Sequence, residues 1–292
     1  RCPDISEHQS LCGWCWIKDL SCKGMGGNRK FAEKWSMEMN VRQKLYEQLA
    51  LDYCCTPEEV ADGKNHFSVY EAREGRRRFR EASECGLKVA AVNGKLLFTG
   101  REDILGECEK RYGETIGDWF MEVERFRELE KLLAPFGFEL AQAHPFYLPE
   151  SMPAVTPGDF QIVKYEGEQI EVFRGDKRFW EAFTFDSLAP DVLGVAAVKE
   201  GNILGMAGAS ADSPFFWQIG INVCPEARGK HVASTLVKIL KQDILERGIT
   251  PYYGTSMSNI GSQRVAHYAG FVAAWAELYA DKVKKNSVPW MR

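Results

Sequence analysis

Residues 223–236 read Val-Cys-Pro-Glu-Ala-Arg-Gly-Lys-His-Val-Ala-Ser-Thr-Leu. No other stretch of the chain limits its fold as strongly. The pattern is a strand end, a tight basic turn and the start of an amphipathic helix. Pro225 ends the strand by removing a ladder donor. Gly229 permits close backbone approach, and Arg228 and Lys230 supply positive charge. From Val232 onward, Val232, Leu236, Ile239, Leu240 and Ile244 share one helical face, and Gly248 ends the helix. Such a turn aims several backbone N–H groups at one point, at the positive end of a helix. That is an anion site, and its natural guest is a phosphate or pyrophosphate. An ordinary exposed basic loop reads the same in isolation, so the context has to separate the two.

The context is ordered. A strand, Phe216 to Val223, leads into the turn. After the helix come a strand (Pro251 to Met257), a polar turn (Ser258-Asn259), a helix (Ser262 to Tyr268), Gly270-Phe271 and a further strand. This order resembles the GNAT superfamily of acyl-CoA-dependent N-acyltransferases, whose loop pattern is Arg/Gln-x-x-Gly-x-Gly/Ala. Arg228 and Ala233 fit that pattern, and His231 stands where the family usually has Gly. The segment Asn259-x-x-Ser262-x-x-Val265-Ala266-x-x-x-Gly270-Phe271 is similar to the family's last helix and strand. The resemblance covers about residues 158–280.

The resemblance implies a cofactor site for acetyl-CoA as co-substrate. Its pyrophosphate would lie against the backbone of Arg228, Gly229, Lys230, His231, Val232, Ala233 and Ser234. Its pantetheine arm would run along Ile221, Asn222 and Val223, with a backbone N–H of that strand as oxyanion donor. Asn259 and Ser262 would contact the arm, and their side chains are also placed to cap the last helix. A Cβ at His231 would either crowd the pyrophosphate or add a contact. An amine would attack the thioester directly, with the rate coming from positioning and from removal of the ammonium proton.

The groups that move protons are less sharply marked. The family often has an acid on the strand before the cradle, where this chain has Gln218. Asp212 is the nearest acid in sequence, and Glu181 and Asp191 could line the amine side. The family's usual proton donor is a Tyr at the position of Ala266, with His267 and Tyr268 beside it. Asp212, His267 and Tyr268 are therefore the catalytic candidates, and a solvent-mediated path is the alternative.

The chain also repeats itself. Gly75 to Ala82 matches Gly175 to Ala182 at five of eight positions. Val89-Ala-Ala-Val92 matches Val195-Ala-Ala-Val198, and Gly137-Phe138 with Ala141 matches Gly270-Phe271 with Ala274. The matches keep their order, which points to an internal duplication. Both copies read as helix, β-hairpin, helix, strand, helix, strand, joined by a Pro-rich linker from Pro145 to Pro157. Only the second copy inserts the strand and basic turn between its hairpin and its long helix. The first runs from Phe98 into Glu102-Asp103, the wrong charge for a phosphate.

With 292 residues, 45% hydrophobic and 12% aromatic, the chain can bury a core. A net charge of −4 gives no general attraction to nucleic acid or anionic membrane. No apolar run approaches the ~20 residues of a membrane span, and no secretory hydrophobic region lies near the start. The nine cysteines are irregular in spacing, which argues against a secreted disulfide scaffold and for a reducing cytoplasm. Cys2, Cys12, Cys15 and Cys22 include a single Cys-x-x-Cys. One such pair is weak as a zinc site, with His8 as a substitute ligand, so no metal is assigned.

The expectation is an α/β (α+β) chain of two tandem GNAT-like halves. Each half would have its own mixed, mostly antiparallel sheet flanked by helices. Residues 1–35 would form a Cys-rich segment, 36–150 a degenerate half, and 151–292 the catalytic half that binds one acetyl-CoA. The activity would be N-acetylation of a small-molecule or peptide amine by a monomer or homodimer, without nucleic acid or membrane as partner. The alternative is a non-catalytic acyl-CoA-binding or interaction protein.

Overall fold

The structure, a computed structural model, describes residues 29–78, 85–156 and 158–283. The cysteines at positions 2, 12, 15 and 22 lie outside these residues, as do Phe79 to Ala82 of the repeated motif. In chain order, the first half holds α1 (Arg29–Asp52), α2 (Pro57–Ala61), β1 (His66–Val69), β2 (Leu87–Val92), β3 (Lys95–Gly100), α3 (Glu102–Tyr112), α4 (Val123–Leu133) and β4 (Phe138–Pro149). The second half holds β5 (Gln161–Glu166), β6 (Asp191–Lys199), β7 (Asn202–Ser210), β8 (Phe216–Val223), α5 (Val232–Glu246), β9 (Thr250–Gly254), α6 (Ile260–Tyr268) and β10 (Phe271–Lys282).

Local chemistry explains many of these boundaries. Thr56 caps α2 in a reciprocal box with Glu59, and Pro57 begins the helix. Both expected hairpins form. Asn93-Gly94 and Glu200-Gly201 each take the left-handed region at both positions, with φ of 51° and 77°, and of 51° and 80°. That is the turn whose twist matches two paired strands. At the end of α5, Gly248 donates to the Leu245 carbonyl (2.9 Å) and Ile249 to that of Ile244 (3.3 Å), closing the last turn.

The two halves do not build separate sheets. All strands join one ten-stranded sheet in the order β1-β3-β2-β10-β4-β9-β8-β7-β6-β5. Only β1–β3 and β8–β9 are parallel. The last strands of the two halves are exchanged. β4 lies between β9 and β10, and β10 lies between β2 and β4. They form the longest ladder of the sheet, from Phe271↔Pro149 to Lys282↔Phe138. The exchange leaves no unpaired edge between the halves, which is why one sheet replaces two.

Two expectations about the first half are corrected here. Pro145 to Pro149 belongs to β4, not to a linker. No strand lies between α3 and α4 among the described residues. The chain there turns back on the first hairpin, with Gly117 donating to the Gly94 carbonyl at 2.8 Å.

Four hydrophobic clusters hold the helices to the sheet. On one face, α3 and α4 pack over the first half through Leu87, Val89, Phe98, Ile104 and Leu133. On the same face, α5 and α6 pack over the second half through Ile219, Leu236, Leu240, Tyr253 and Phe271. On the opposite face, α1 covers the centre through Leu45, Leu49, Tyr53, Phe216 and Trp275. The segment 167–185 covers the outer strands through Phe173, Phe179 and Phe183. Each fully buried Leu, Ile or Phe contributes about 1.5–3 kcal/mol. No helix among the described residues is long and apolar enough to cross a membrane.

Candidate active site

The sheet opens at one place. β8 and β9 pair only from Phe216↔Thr250 to Ile219↔Tyr253. Beyond Ile219, β8 runs on to Val223 with β7 alone as neighbour. The Cys224 N–H donates to the Leu204 carbonyl at 2.9 Å, on the β7 side. Because N–H groups alternate along a strand, Asn222 and Gly220 also face β7, and Ile221 and Val223 turn their N–H groups into the gap. A cleft of about 1340 Å³ runs through this opening.

The basic turn stands at the end of the open strand. A short helical turn, Pro225–Ala227, leads to Arg228 and then to Gly229 at φ 75°. His231 is the N-cap residue of α5 and lies in the left-handed region, φ 57° and ψ 12°, with no side-chain cap bond. That conformation is the reason glycine suits this position. The first bond of the helix is Thr235 N–H to the His231 carbonyl (3.0 Å). The N–H groups of Val232, Ala233 and Ser234 lie ahead of it, without helical partners, at the positive end of a 15-residue helix. Arg228 and Lys230 are exposed. Neither enters an ion pair among the described residues.

The other expected contacts are distributed as follows. Asn222 lines the cleft, and its side chain also has a structural partner. Its Oδ1 accepts from the N–H groups of Glu181 and Ala182, both at 2.9 Å. This pins the 181–182 backbone onto the strands. Gly208 and Gly220 make room for it, because a Cβ on either would overlap the carbonyls of Ala182 or Glu181. Asn259 caps α6 by accepting from the Ser262 N–H at 3.1 Å. The Ser262 hydroxyl bonds the Tyr253 hydroxyl at 2.7 Å, and both residues line the cleft.

The catalytic candidates are not gathered in one place. Asp212 lies in the cleft, but its buried carboxylate is held by Ser210 Oγ (2.7 Å), Arg78 Nε (3.1 Å) and the Tyr252 hydroxyl. It ties the Arg78 loop to the second half. Tyr268 lines the cleft near the basic turn, with its ring 6.4 Å from that of His231. His267 is exposed and is not among the residues lining the cleft. Asp191 likewise lies outside it, accepting from the Phe185 N–H at 2.7 Å.

At this point the sequence can be compared with known proteins. Residues 160–271 match the model of the Acetyltransferase (GNAT) family. This stretch is similar to the acetyltransferase domains of that family. No curated protein matches the chain. Among solved structures, a GCN5-related N-acetyltransferase-like protein from Streptococcus suis is 15% identical, at a TM-score of 0.39, over 53% of this chain and 68% of its own. A GNAT-family acetyltransferase from Colwellia psychrerythraea is 16% identical, at 0.36, over 50% of this chain and 57% of its own. A tandem GNAT protein from the clavulanic acid biosynthesis pathway is 14% identical, at 0.39, over 54% of this chain and 59% of its own.

Residues from outside 160–271 complete the cleft. β4 brings His144 and Phe146, β10 brings Glu277 and Tyr279, and β2 brings Lys88. Arg77 is buried between Asp52 (2.5 Å) and Glu277, with its guanidinium 5.1 Å from the centre of the Trp275 ring. Burial pushes the Asp52 carboxyl up, but Arg77 beside it more than offsets this and leaves it below its usual value. Burial holds the half-buried His144 imidazole below its usual pKa, and Glu181 pulls weakly the other way. The Tyr253 phenol is pushed up to about 12 by burial. None of these residues stands in a readable motif, because register across exchanged strands brings them together. Among the described residues, no cluster of three or more His, Cys, Asp or Glu side chains could hold a metal ion.

Proposed function

We propose that the chain transfers an acetyl group from acetyl-CoA to a primary amine by direct attack. The observation that carries this reading is the gap between β8 and β9, which opens beside the uncapped start of α5. The residues present fit the co-substrate. Two strand N–H groups face the gap, three helix N–H groups lack partners, and Arg228 and Lys230 stand unpaired among the described residues. Bound acetyl-CoA would supply an activated thioester carbonyl. One of the Ile221 and Val223 N–H groups is then the oxyanion donor, and the other, about 7 Å along the strand, bonds the pantetheine arm. Val232, Ala233, Ser234 and Arg228 hold the pyrophosphate.

On the other face of the opening, His144 takes the proton of the acceptor ammonium. Burial keeps the imidazole neutral and ready to accept at neutral pH. Glu181 stabilises the imidazolium that results. Tyr253 stays protonated up to about pH 12 and gives a proton to the departing sulfur, with Ser262 behind it. Asp212 positions Arg78 and takes no proton. We also assign the protein to a reducing cytoplasm, since Cys54, Cys55, Cys85, Cys108 and Cys224 are free thiols.

Calorimetry with acetyl-CoA, followed by thiol release over a panel of amines, tests this reading. Saturable binding and amine-dependent release are the expected results. Binding without turnover would favour a non-catalytic acyl-CoA-binding protein, and absence of binding would remove both readings.

A further inference from the structure

The segment 167–185 is fastened to the sheet in two ways. Phe173, Phe179 and Phe183 bury it against Ala196 of β6 and Met206 of β7. Between Phe179 and Phe183 it is also held by a polar seat. Gly208 and Gly220 stand opposite each other on β7 and β8. They leave a bare patch on which the 181–182 backbone lies so close that a Cβ on either glycine would overlap it. Asn222 is the next residue on the same face of β8. Its Oδ1 accepts from the Glu181 and Ala182 N–H groups. The Ala182 N–H also reaches the Phe179 carbonyl at 3.1 Å. The Glu181 N–H has no other partner among the described residues. Apolar packing is non-directional and would hold the segment without choosing its exact position. A close backbone contact with a two-bond acceptor does choose it.

The residue fixed in this way reaches the site. Glu181 lines the cleft with an exposed side chain. Its carboxylate enters no ion pair or hydrogen bond among the described residues. Other carboxylates nearby are engaged: Asp52 and Glu277 share Arg77, and Asp212 is held by Arg78. The Glu181 charge acts on both His144 and Tyr253. These are the two groups that move protons in the reaction proposed above. Asn222 also stands between Ile221 and Val223, whose N–H groups face the gap. One residue of rise along a strand is about 3.3 Å, so a single strand residue ties the thioester side of the site to the amine side.

We propose that Asn222 is a positioning residue for the acceptor. By fixing the Glu181 backbone, it sets the Glu181 carboxylate where it receives the acceptor ammonium, beside His144 and in register with the thioester. This rests on the acetyl-transfer reading above and adds the device that aligns its two substrates.

The test measures thiol release from acetyl-CoA with ethanolamine, benzylamine, putrescine and glycinamide, together with acetyl-CoA affinity by calorimetry. N222L keeps the side-chain volume and removes the acceptor oxygen. For the amine turned over best, it should lower kcat/KM about 30-fold, since a misplacement of about 1 Å can cost about 100-fold. Acetyl-CoA affinity should stay within about threefold. N222D keeps an oxygen for both N–H groups and should recover most of the loss. E181Q should fall about as far as N222L. The double variant should lie within about threefold of E181Q, because residues acting as one unit are not additive. Losses that multiply in the double variant would make Asn222 independent of Glu181 and overturn the proposal, as would full activity in N222L. Acetyl-CoA binding that weakens in step with activity in N222L would place Asn222 on the co-substrate and overturn it too. Each of these leaves acetyl transfer standing. Acetyl-CoA binding by the unaltered protein with no turnover of any of the four amines would remove the acetyl-transfer reading and this proposal with it.

Discussion

The starts of α3 and α5 occupy corresponding places, each after a hairpin with the same kind of two-residue turn. Their chemistry is opposite. At α3 the first turn is acidic. Asp103 accepts from the Ile104 N–H (3.0 Å), and Arg101 pairs with the same carboxylate at 2.5 Å. The chain thus supplies its own anion to the helix dipole. At α5 no side chain caps the helix, no acid stands in the first turn, and Arg228 and Lys230 flank the open N–H groups. One helix start is closed by its own sequence, and the other is left for a ligand. A second difference completes the site. β3 passes directly into α3, whereas β7 is followed by β8, whose far end parts from β9. The first half has neither the cradle nor the gap. Through the strand exchange, however, it supplies His144 and Lys88 to the cleft of the second.

The largest effect should come from breaking that last contribution. His144→Gln is expected to lower kcat about 100-fold, within the usual range for a general base. The pH profile provides the sharper test. A base acts when deprotonated, and burial lowers the His144 pKa, so kcat/KM should rise with pH below the usual histidine value near 6.5 and then level off. The variant should lose that rising limb. An unchanged limb in the variant would assign the proton to another group.

Arg228→Glu makes the start of α5 resemble that of α3. It should weaken acetyl-CoA binding about 30-fold by calorimetry, because it places a like charge beside the pyrophosphate. The residue is exposed and unpaired among the described residues, so the thermal midpoint should hardly change. Unaltered affinity would overturn the assignment of the cradle.

The smallest effect sharpens the comparison at one backbone angle. His231 holds φ 57° at the N-cap of α5, a cost of roughly 1 kcal/mol that glycine does not bear. Part of the gain is lost with the Tyr268 ring contact. His231→Gly should therefore stabilise the protein by about 0.5 kcal/mol in urea unfolding and bind acetyl-CoA equally or a few-fold more tightly. Weaker binding would show that the imidazole itself contributes a contact.

The parts of this arrangement that were legible in the sequence are those set by a few adjacent residues. Asn93-Gly94 and Glu200-Gly201 gave both hairpins, Pro225 and Gly229 gave the basic turn, and Gly248 gave the end of α5. The run from Phe216 to Val223 gave β8 with its observed bounds. Asn259 was readable as a cap, and it is one. Where pairing over long distances decides, the reading failed. The prolines from Pro145 to Pro149 resembled a linker because nothing nearby shows that β10 will pair with them. The hold of the Asn222 side chain on Glu181 and Ala182, about 40 positions away, had no local signal either.

By itself, then, the sequence determined the local pieces: which residues turn, which helix start is left open to an anion, and the order of strand, cradle and helix. Those choices rest on φ preferences, caps and neighbouring charges, which act within a few residues. The tertiary structure decided that the halves share one sheet, that β8 and β9 part after Ile219, and that His144, Glu277 and Lys88 face one cleft. These depend on the register of strands from opposite ends of the chain, and a shift of one residue would turn each of those side chains to the other face.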